Sequence, residues 1–326
     1  MLRSYDYFEL DHVNEKLKNE ALFDYEKALI KKAVSSFRSS KGKVSICPAC
    51  ASDNLEEFFS IWKTIYYRCT VCNSVFMFAD EDNAKAFRAN KELIAHRKSA
   101  TFQDDLTERR GVLWDGQLFW IRYRLFRYLK KNADLDVIDY GNRYEGLIRR
   151  ILDSKIAKNY LLMDSIVDSL EYNKGMVNKA DAFFLFDQIQ QYANPAEKFA
   201  EFGNHIKDGG LLFLSARVGT GFDIMVLKEN IRNIFPYEHS SLFSIKGLEL
   251  ALNRAGFTVL EMTTPGIMDI KYVMDHKNDI PSNETFIKYI INNLDSSSLS
   301  EFQKFLQKNG LSSFAQIIAK KDYRNE

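Results

Sequence analysis

The sequence lacks any run of about 18 consecutive apolar residues, the length that marks a membrane-spanning helix. Its first residues, 1–20, contain no apolar stretch of the kind found in secretory signals, so we expect a cytoplasmic protein. An excess of one charge is also lacking, since 45 Lys and Arg residues balance 44 Asp and Glu residues to a net charge of +1. This balance provides no overall attraction to nucleic acid. With 326 residues, 46% of them hydrophobic, the chain has material for about two folded units.

Cysteine is scarce, and the four cysteines fall into two close pairs. Cys47 and Cys50 form one C-x2-C motif, and Cys69 and Cys72 form the second. Two cysteines in a tight turn direct both sulfurs at one point, and two such turns complete a tetrahedral site suited to Zn²⁺. Four thiolates leave no position open for water or substrate, so we interpret the zinc site as structural. The alternative is two unrelated redox or free thiol pairs.

The segment between the two motifs is rich in aromatic and β-branched residues, which favours strands that close a zinc ribbon at residues 44–80. This ribbon separates an N-terminal helical segment, residues 1–43, from a helical linker region, residues 81–132. Zinc ribbons also occur in nucleic-acid-binding proteins, which gives one alternative function. Only Lys63 and Arg68 supply positive charge between the motifs, so we expect no nucleic-acid partner.

Apolar residues recur at helical spacing over residues 14–37 and 115–131 and predict two helices. The caps and negative charge of residues 80–83 predict a third helix over residues 84–97. From residue 133 to residue 326, short apolar runs alternate with helical stretches, which is typical of a parallel sheet with helices on both faces. The predicted strands are residues 135–139, 160–164, 181–187, 211–217, 257–263 and 315–321. A helical insertion at about residues 267–312 is expected to contain two helices, 283–294 and 299–308, and to serve as an acceptor lid, a dimer contact or a packing element.

Four short motifs of this region resemble, in order and spacing, those of class I S-adenosylmethionine (SAM)-dependent methyltransferases. They are LDVIDYG at residues 135–141, YLLMD at 160–164, KDGG at 207–210 and AGF at 255–257. The resemblance covers about residues 133–321 and implies a Rossmann-like α/β sheet, mostly parallel with an antiparallel last strand, that binds SAM. An acidic residue at the end of the second strand accepts hydrogen bonds from ribose hydroxyls in such folds. The implied cofactor-binding residues are Asp139, Gly141, Asn142, Gly146, Asp164 and Asp187.

The chain departs from the family at the glycine turn, which keeps only Gly141 and Gly146 and has the bulkier residues 142–145 between them. Gln190 and Gln191 also stand where a Glu-His pair is common. Two interpretations remain open. The chain is either an enzyme whose loop is rebuilt around SAM, or a non-catalytic protein of the same fold that binds a sugar nucleotide or a partner enzyme.

A zinc ribbon ahead of such a domain resembles bacterial sugar methyltransferases of surface-polysaccharide biosynthesis. The resemblance implies a sugar or sugar-nucleotide acceptor, and a homodimer is among the assemblies we consider. For a general base we predict His239, because its pKa range suits proton abstraction near neutrality, with Glu238 and Tyr237 as second choices. The alternative for His239 is a side chain that caps or packs the following turn. Neither the acceptor nor the methylated atom follows from the sequence.

Overall fold

A computed structural model describes residues 19–37, 46–131, 133–167 and 169–322. The start of the predicted first helix, residues 14–18, lies outside these ranges. Up to residue 131, the described chain forms four helices and three short strands. They are the helices α1 (Glu20–Ser35), α2 (Glu81–Arg88), α3 (Lys91–Lys98) and α4 (Ala100–Leu129), and the strands β1 (Leu55–Ile61), β2 (Thr64–Cys69) and β3 (Val75–Met77).

Capping side chains decide where α3 and α4 begin. The side chain of Asn90 accepts a hydrogen bond from Leu93 N–H at 2.9 Å, and that of Ser99 accepts one from Phe102 N–H at 3.3 Å. Each cap satisfies an N–H group that has no partner within its helix. The single helix predicted over 84–97 is therefore wrong and is replaced by α2 and α3, while α4 starts well before the predicted residue 115.

The second half of the described chain contributes seven strands. They are β4 (Leu135–Tyr140), β5 (Ala157–Met163), β6 (Ala180–Phe186), β7 (Ile206–Arg217), β8 (Ser241–Leu242), β9 (Phe257–Thr263) and β10 (Phe314–Lys321). Six of them form one sheet in the order β5-β4-β6-β7-β10-β9. Strands β5, β4, β6 and β7 are parallel, and β10 runs antiparallel to both β7 and β9. This confirms the predicted sheet of the class I methyltransferase type, mostly parallel with its last strand antiparallel.

Helices cover both faces of this sheet. In β6, Phe183 and Leu185 pack in one buried cluster, and Phe184 and Phe186 pack in a second cluster on the other face. Neighbouring residues of a strand point to opposite faces, so burial of all four shows a three-layer arrangement. The helices that follow β4 are α5 (Glu145–Asp153), α6 (Ser169–Tyr172), α7 (Pro195–Gly203), α8 (Phe222–Leu227), α9 (Ile245–Arg254), α10 (Asp269–Asp275), α11 (Thr285–Asn293) and α12 (Ser296–Lys308).

The helical insertion is present but contains one helix more than expected. Helices α11 and α12 match the two predicted stretches, and α10 precedes them. Asp269, at the start of α10, is buried and accepts hydrogen bonds from Ser312 Oγ at 2.6 Å and from Ser313 N–H at 2.7 Å. These hydrogen bonds join the start of α10 to the residues just before strand β10.

The strands next to the cysteine turns, β1 to β3, are joined to the second half of the chain. Strand β3 pairs with β8 through Val75 opposite Leu242 and Phe76 opposite Ser241, and completes a four-stranded sheet in the order β1-β2-β3-β8. None of the helices in the described ranges combines the length and apolar character needed to cross a bilayer. The boundaries drawn at residues 43, 80 and 132 stay predictions.

Candidate functional site

The four cysteines converge on one point, as their spacing predicted. Their sulfur atoms all lie within 4.8 Å of one another. The Sγ atoms of Cys47 and Cys72 are 3.6 Å apart, and those of Cys50 and Cys69 are 3.5 Å apart. A Zn–S bond of about 2.3 Å places the sulfurs of a regular tetrahedron about 3.8 Å apart, so this donor set fits Zn²⁺.

The two cysteine turns share one backbone design. In each turn the N–H of the first cysteine, Cys47 or Cys69, donates to the carbonyl five residues on, at 2.7 and 2.9 Å. The residue after the second cysteine, Ala51 or Asn73, has a φ of 62° and donates its N–H back to the first cysteine's carbonyl. The repeated geometry shows that both C-x2-C motifs form turns of the same kind, which argues against two unrelated thiol pairs.

Hydrogen bonding prepares one thiol for deprotonation. A hydrogen bond from Cys47 lowers the pKa of Cys72 to about 5, while burial opposes this shift and Ser74 reinforces it. The same hydrogen bond raises the pKa of Cys47, and burial raises that of Cys50, so the thiolate form that metal ligation requires is favoured at Cys72 and disfavoured at these two sulfurs.

The start of α9 holds the second cysteine turn. The hydroxyl of Ser244, the N-terminal cap of α9, donates to the carbonyl of Cys72, and its N–H donates to Ser74 Oγ at 3.1 Å. Lys246 Nζ donates to the carbonyl of Val71 at 3.0 Å. The cysteine cluster therefore packs against the start of α9.

A second site lies at the carboxyl ends of β4 and β5. Gly141 follows β4 with a φ of 68°, and its N–H donates to the carbonyl of Met163 at 2.8 Å. A Cβ atom at position 141 would lie 2.8 Å from Cγ of Gln188, so both the backbone conformation and the space require glycine. This turn brings Gly141, Asp164 and Gln188 together, and open α/β sheets bind ligands at this edge.

Asp139 lies fully buried beneath the turn. One carboxylate oxygen accepts hydrogen bonds from Tyr160 Oη at 2.6 Å and from Asn142 Nδ2 at 2.8 Å, and the other, Oδ1, has no partner. Burial raises the pKa of Asp139 to about 6, and the two hydrogen bonds limit the shift. A buried carboxylate with one free oxygen is suited to a cationic ligand.

Asp164 lies exposed at the same edge, held by a chain of two tyrosines. Tyr140 Oη donates to Asp164 Oδ2 at 2.7 Å, and Tyr192 Oη donates to Tyr140 Oη at 3.2 Å. The φ of Asp164 is 49°, a left-handed conformation that aspartate adopts more readily than most residues. The carboxylate is thus oriented and accessible, as an acceptor for two adjacent hydroxyl groups requires.

Asp187 extends this edge by one strand. Its φ is 56°, its N–H donates to the carbonyl of Ser215 at 3.0 Å, and its Oδ1 accepts from Ser215 Oγ at 3.2 Å. Seven buried side-chain atoms lack a hydrogen-bond partner in the described ranges. Four of the seven belong to residues that end or follow β4, β6 or β7: Asp139, Gln188, Gln190 and Arg217. Buried polar atoms without partners are rare, so their concentration here indicates a site that a polar ligand completes.

Two residues assigned to the cofactor have other contacts. A Cβ atom at Gly146 would lie 2.5 Å from the Trp114 ring, so this glycine allows α5 to pack on α4. Asn142 is fully buried and bridges Asp139 to the N–H of Tyr144. Gly146 thus packs two helices together, and the Asn142 side chain shapes the turn; the assignment of both residues to the cofactor stays a prediction.

The bulky side chains of Arg143 and Tyr144, which follow Gly141, contact other residues and do not fill the turn. Tyr144 is buried, with its ring centroid 5.8 Å from that of Trp114. Arg143 Nη1 donates to Glu238 Oε1 at 2.6 Å. Both side chains are thus held by their own partners, and the turn keeps Gly141 as its point of close approach.

Glu238 belongs to a buried ion-pair cluster. Its carboxylate accepts from Arg143 at 2.6 Å, from Arg97 at 3.0 Å and from Gln191 at 3.2 Å. Burial acts to raise the pKa of Glu238, but the charges of the two arginines outweigh it and hold the pKa well below its usual range. Glu238 is therefore a very weak base, and its predicted role as a general base is not supported.

His239 and Tyr237 are also engaged. His239 Nδ1 accepts the N–H of Phe235 at 3.1 Å, and burial lowers the pKa of His239 to about 3. Tyr237 is buried, with its ring edge-on to Phe37, and its Oη accepts from Asn83 Nδ2 at 3.3 Å. These contacts agree with the alternative in which His239 packs its turn. They give no support to His239 or Tyr237 as the general base. Sequence patterns gave no signal for the ion-pair cluster or for the tyrosine chain at Asp164.

Comparisons with known proteins concern the fold. No protein-family model matches the sequence, and no curated protein matches it. Among solved structures, a SAM-dependent methyltransferase from Mesorhizobium loti is similar at 14% identity, 64% of this chain, 100% of that chain and a TM-score of 0.39. The cyclopropane synthase MmaA2 from Mycobacterium tuberculosis is similar at 15% identity, 61% of this chain, 83% of that chain and a TM-score of 0.37. A phosphoethanolamine N-methyltransferase from Haemonchus contortus is similar at 16% identity, 69% of this chain, 61% of that chain and a TM-score of 0.39. Scores at this level carry no inference about activity.

Proposed function

We propose that this chain is a SAM-dependent methyltransferase whose acceptor is a small molecule of the sugar or sugar-nucleotide class. The observation that carries the proposal is the edge formed by Asp139, Gly141 and Asp164. A buried carboxylate, a left-handed glycine and an exposed carboxylate follow two neighbouring parallel strands. The strand order and the motif resemblance support the same cofactor.

Each residue of the edge has a distinct role in the proposal. Asp164 accepts hydrogen bonds from the two ribose hydroxyls, and the tyrosine chain keeps its carboxylate oriented. Gly141 allows backbone to approach the ligand, and Asp139 faces positive charge with its free Oδ1. Asp187 and Gln188 border the same ligand from the end of β6. SAM, when bound, supplies a methyl group on a good leaving group, so the protein mainly has to align the acceptor.

The proposed acceptor carries negative charge. Arg217 ends β7, and its Nη2 donates to Asp223 and to Asn233, both at 3.2 Å. Its Nε is buried without a partner. An arginine held in place through Nη2, with donors left over, fits the phosphate of a nucleotide-activated sugar. Because burial lowers the pKa of His239 and the charges of two arginines lower that of Glu238, we propose that the acceptor's proton passes to solvent or to the acceptor's own groups.

Zn²⁺ and a cytoplasmic location are parts of the same proposal. Four converging thiols with matching turn geometry support a structural zinc ion. Cysteines arranged for a metal and not for disulfides are typical of a reducing environment, which supports the cytoplasm.

Calorimetry with SAM is the first test, on wild type and on Asp164→Ala. Loss of the charged acceptor should weaken SAM binding about tenfold or more. Because alanine fits the left-handed backbone at position 164 less well than aspartate, circular dichroism checks that the variant is folded. Glu197→Ala removes an acidic residue at the start of α7 and is the matched control. This variant should bind SAM as wild type does. No binding at millimolar SAM, with or without acceptor, contradicts the enzyme. Unchanged affinity in Asp164→Ala removes that residue from the site.

A second candidate, a non-catalytic protein of this fold, is favoured by the engagement of all three predicted bases. Transfer of a labelled methyl group from SAM to a panel of sugar nucleotides separates the two. Turnover with any member supports the enzyme. SAM binding without turnover across the panel favours the non-catalytic protein.

A further inference from the structure

An apolar stripe lies exposed along the outer face of α4. Val112, Phe119, Tyr123 and Phe126 are 53%, 67%, 50% and 57% exposed. Together with Gly116 they follow the alternating four-three spacing of a coiled-coil seam over two heptads. Large exposed apolar patches on a folded protein mark surfaces for association.

The stripe faces away from the other residues that the structure describes. Trp114, Ile121 and Leu125 of the same helix are 2%, 0% and 0% exposed and pack in the cluster beneath the sheet. At 100° per residue, these buried positions lie on the side of α4 opposite Phe119 and Tyr123. A helix can therefore approach the stripe without meeting the domain that α4 covers.

A groove of about 480 Å³ runs beside the stripe. Its lining residues are Asp115, Leu118, Phe119, Arg122, Tyr123 and Phe126. Asp115 and Arg122 flank the seam on one side, seven positions apart, with opposite charges. Arg122 has no ion-pair or hydrogen-bond partner among the residues that the structure describes.

We propose that a second copy of this chain covers the stripe, with the two α4 helices antiparallel about a twofold axis. In this orientation Asp115 lies across from the partner's Arg122, and the symmetry makes the same pair twice. A parallel dimer would instead place Arg122 across from the partner's Arg127, which is a like-charge contact. The charges therefore select the antiparallel arrangement.

Side-chain sizes agree with this register. In it, the ring of Phe119 faces the partner's Gly116, and Val112 faces the partner's Tyr123. A glycine opposite a phenylalanine leaves room for the ring, and a valine opposite a tyrosine is a similar pairing of a smaller with a larger side chain. Asp115 Oδ1 already binds Arg150 Nε at 2.7 Å, which orients the carboxylate and leaves its second oxygen for the partner.

Sedimentation velocity of the full chain over 1–100 µM tests the proposal, with expected dimerisation in this range. Phe119→Ser should shift the chain to monomer. Phe286→Ser, on α11 and 71% exposed, is the matched control and should leave the dimer unchanged. Circular dichroism checks that both variants fold. A wild-type chain that stays monomeric at 100 µM, or equal effects of the two substitutions, overturns the proposal.

A charge exchange tests the orientation. Arg122→Asp places like charges across the twofold and should weaken dimerisation at least tenfold, as should Asp115→Arg. The double variant Asp115→Arg/Arg122→Asp restores opposite charges and should regain most of the lost affinity. Arg122→Asp is the cleaner single change, because it leaves the bond between Asp115 and Arg150 intact. A double variant no tighter than the single ones contradicts the antiparallel register.

Discussion

We predict that the affinity for SAM falls about tenfold between pH 7 and pH 5, because Asp139 takes up a proton. Burial raises the pKa of Asp139 to about 6, against the hydrogen bonds from Tyr160 and Asn142. A carboxylate with this pKa is about nine-tenths ionised at pH 7 and about one-tenth ionised at pH 5. SAM carries positive charge on its sulfonium and its ammonium group, so it binds the ionised form.

The contribution of Asp139 to the stability of the fold changes in the opposite direction between pH 7 and pH 5. The folded-state pKa of Asp139 lies above the ordinary value of 3.8, so burial penalises its ionised form. Protonation on going from pH 7 to pH 5 therefore removes a destabilising charge, and this group adds stability as the pH falls. Weaker SAM binding at pH 5 would then not arise from unfolding at Asp139.

Calorimetric titrations with SAM at pH 5, 6 and 7 test this prediction, on wild type and on Asp139→Asn. The amide keeps the shape of the side chain but does not titrate, so its affinity should be weaker at pH 7 and nearly flat with pH. Titration of SAM itself affects both proteins alike and cancels in the comparison. If wild-type affinity stays constant between pH 7 and pH 5, or the variant shows the same slope, the assignment of Asp139 to the cofactor is refuted.

Three further predictions concern the metal and the buried ion pairs. Cys69→Ser should reduce the bound zinc, measured by elemental mass spectrometry, from about one ion per chain towards none, and undiminished zinc would contradict the four-thiolate site. Arg124→Met should lower the free energy of unfolding in urea by about 3–5 kcal/mol, because Glu261 loses a charged partner at 2.6 Å and both side chains are only 2% exposed. The double variant Arg124→Met/Glu261→Met should recover most of this loss. Glu238 has a lowered pKa, so its contribution to stability is fully present above pH 4.5, its ordinary pKa, and is lost as the pH falls below that value. Thermal unfolding from pH 7 to pH 3 should show this loss in wild type and a smaller loss in Glu238→Gln.

Local sequence signals predicted the features that depend on neighbouring residues. The two C-x2-C motifs set the geometry of their turns within six residues, so their convergence followed from spacing. Strands such as β6 were visible because every residue from Phe183 to Phe186 is apolar and buried on one face or the other. The two-residue strand β8 left no such signal, because it is too short for any periodicity.

The roles of single polar residues depended on contacts distant in sequence. Glu238 was a reasonable candidate base until its partners were known, and these lie 141 and 95 positions away, at Arg97 and Arg143. The ring that Gly146 accommodates, Trp114, lies on another helix, so this contact gives no signal in the residues around Gly146. Hydropathy and spacing do not carry such tertiary information, so the fold could be predicted more fully than the site.

The ribbon and the cofactor edge are linked by a short series of contacts. The turn of Cys72 is bound by Ser244, which lies two residues after the strand β8 that pairs with β3. The segment before β8 contains Glu238, whose carboxylate binds Arg143 in the turn after Gly141. A structural zinc ion would therefore fix one end of a segment whose other end positions the cofactor turn. Through this series of contacts we expect loss of the metal to loosen the ion pair between Glu238 and Arg143, and with it the turn that follows Gly141.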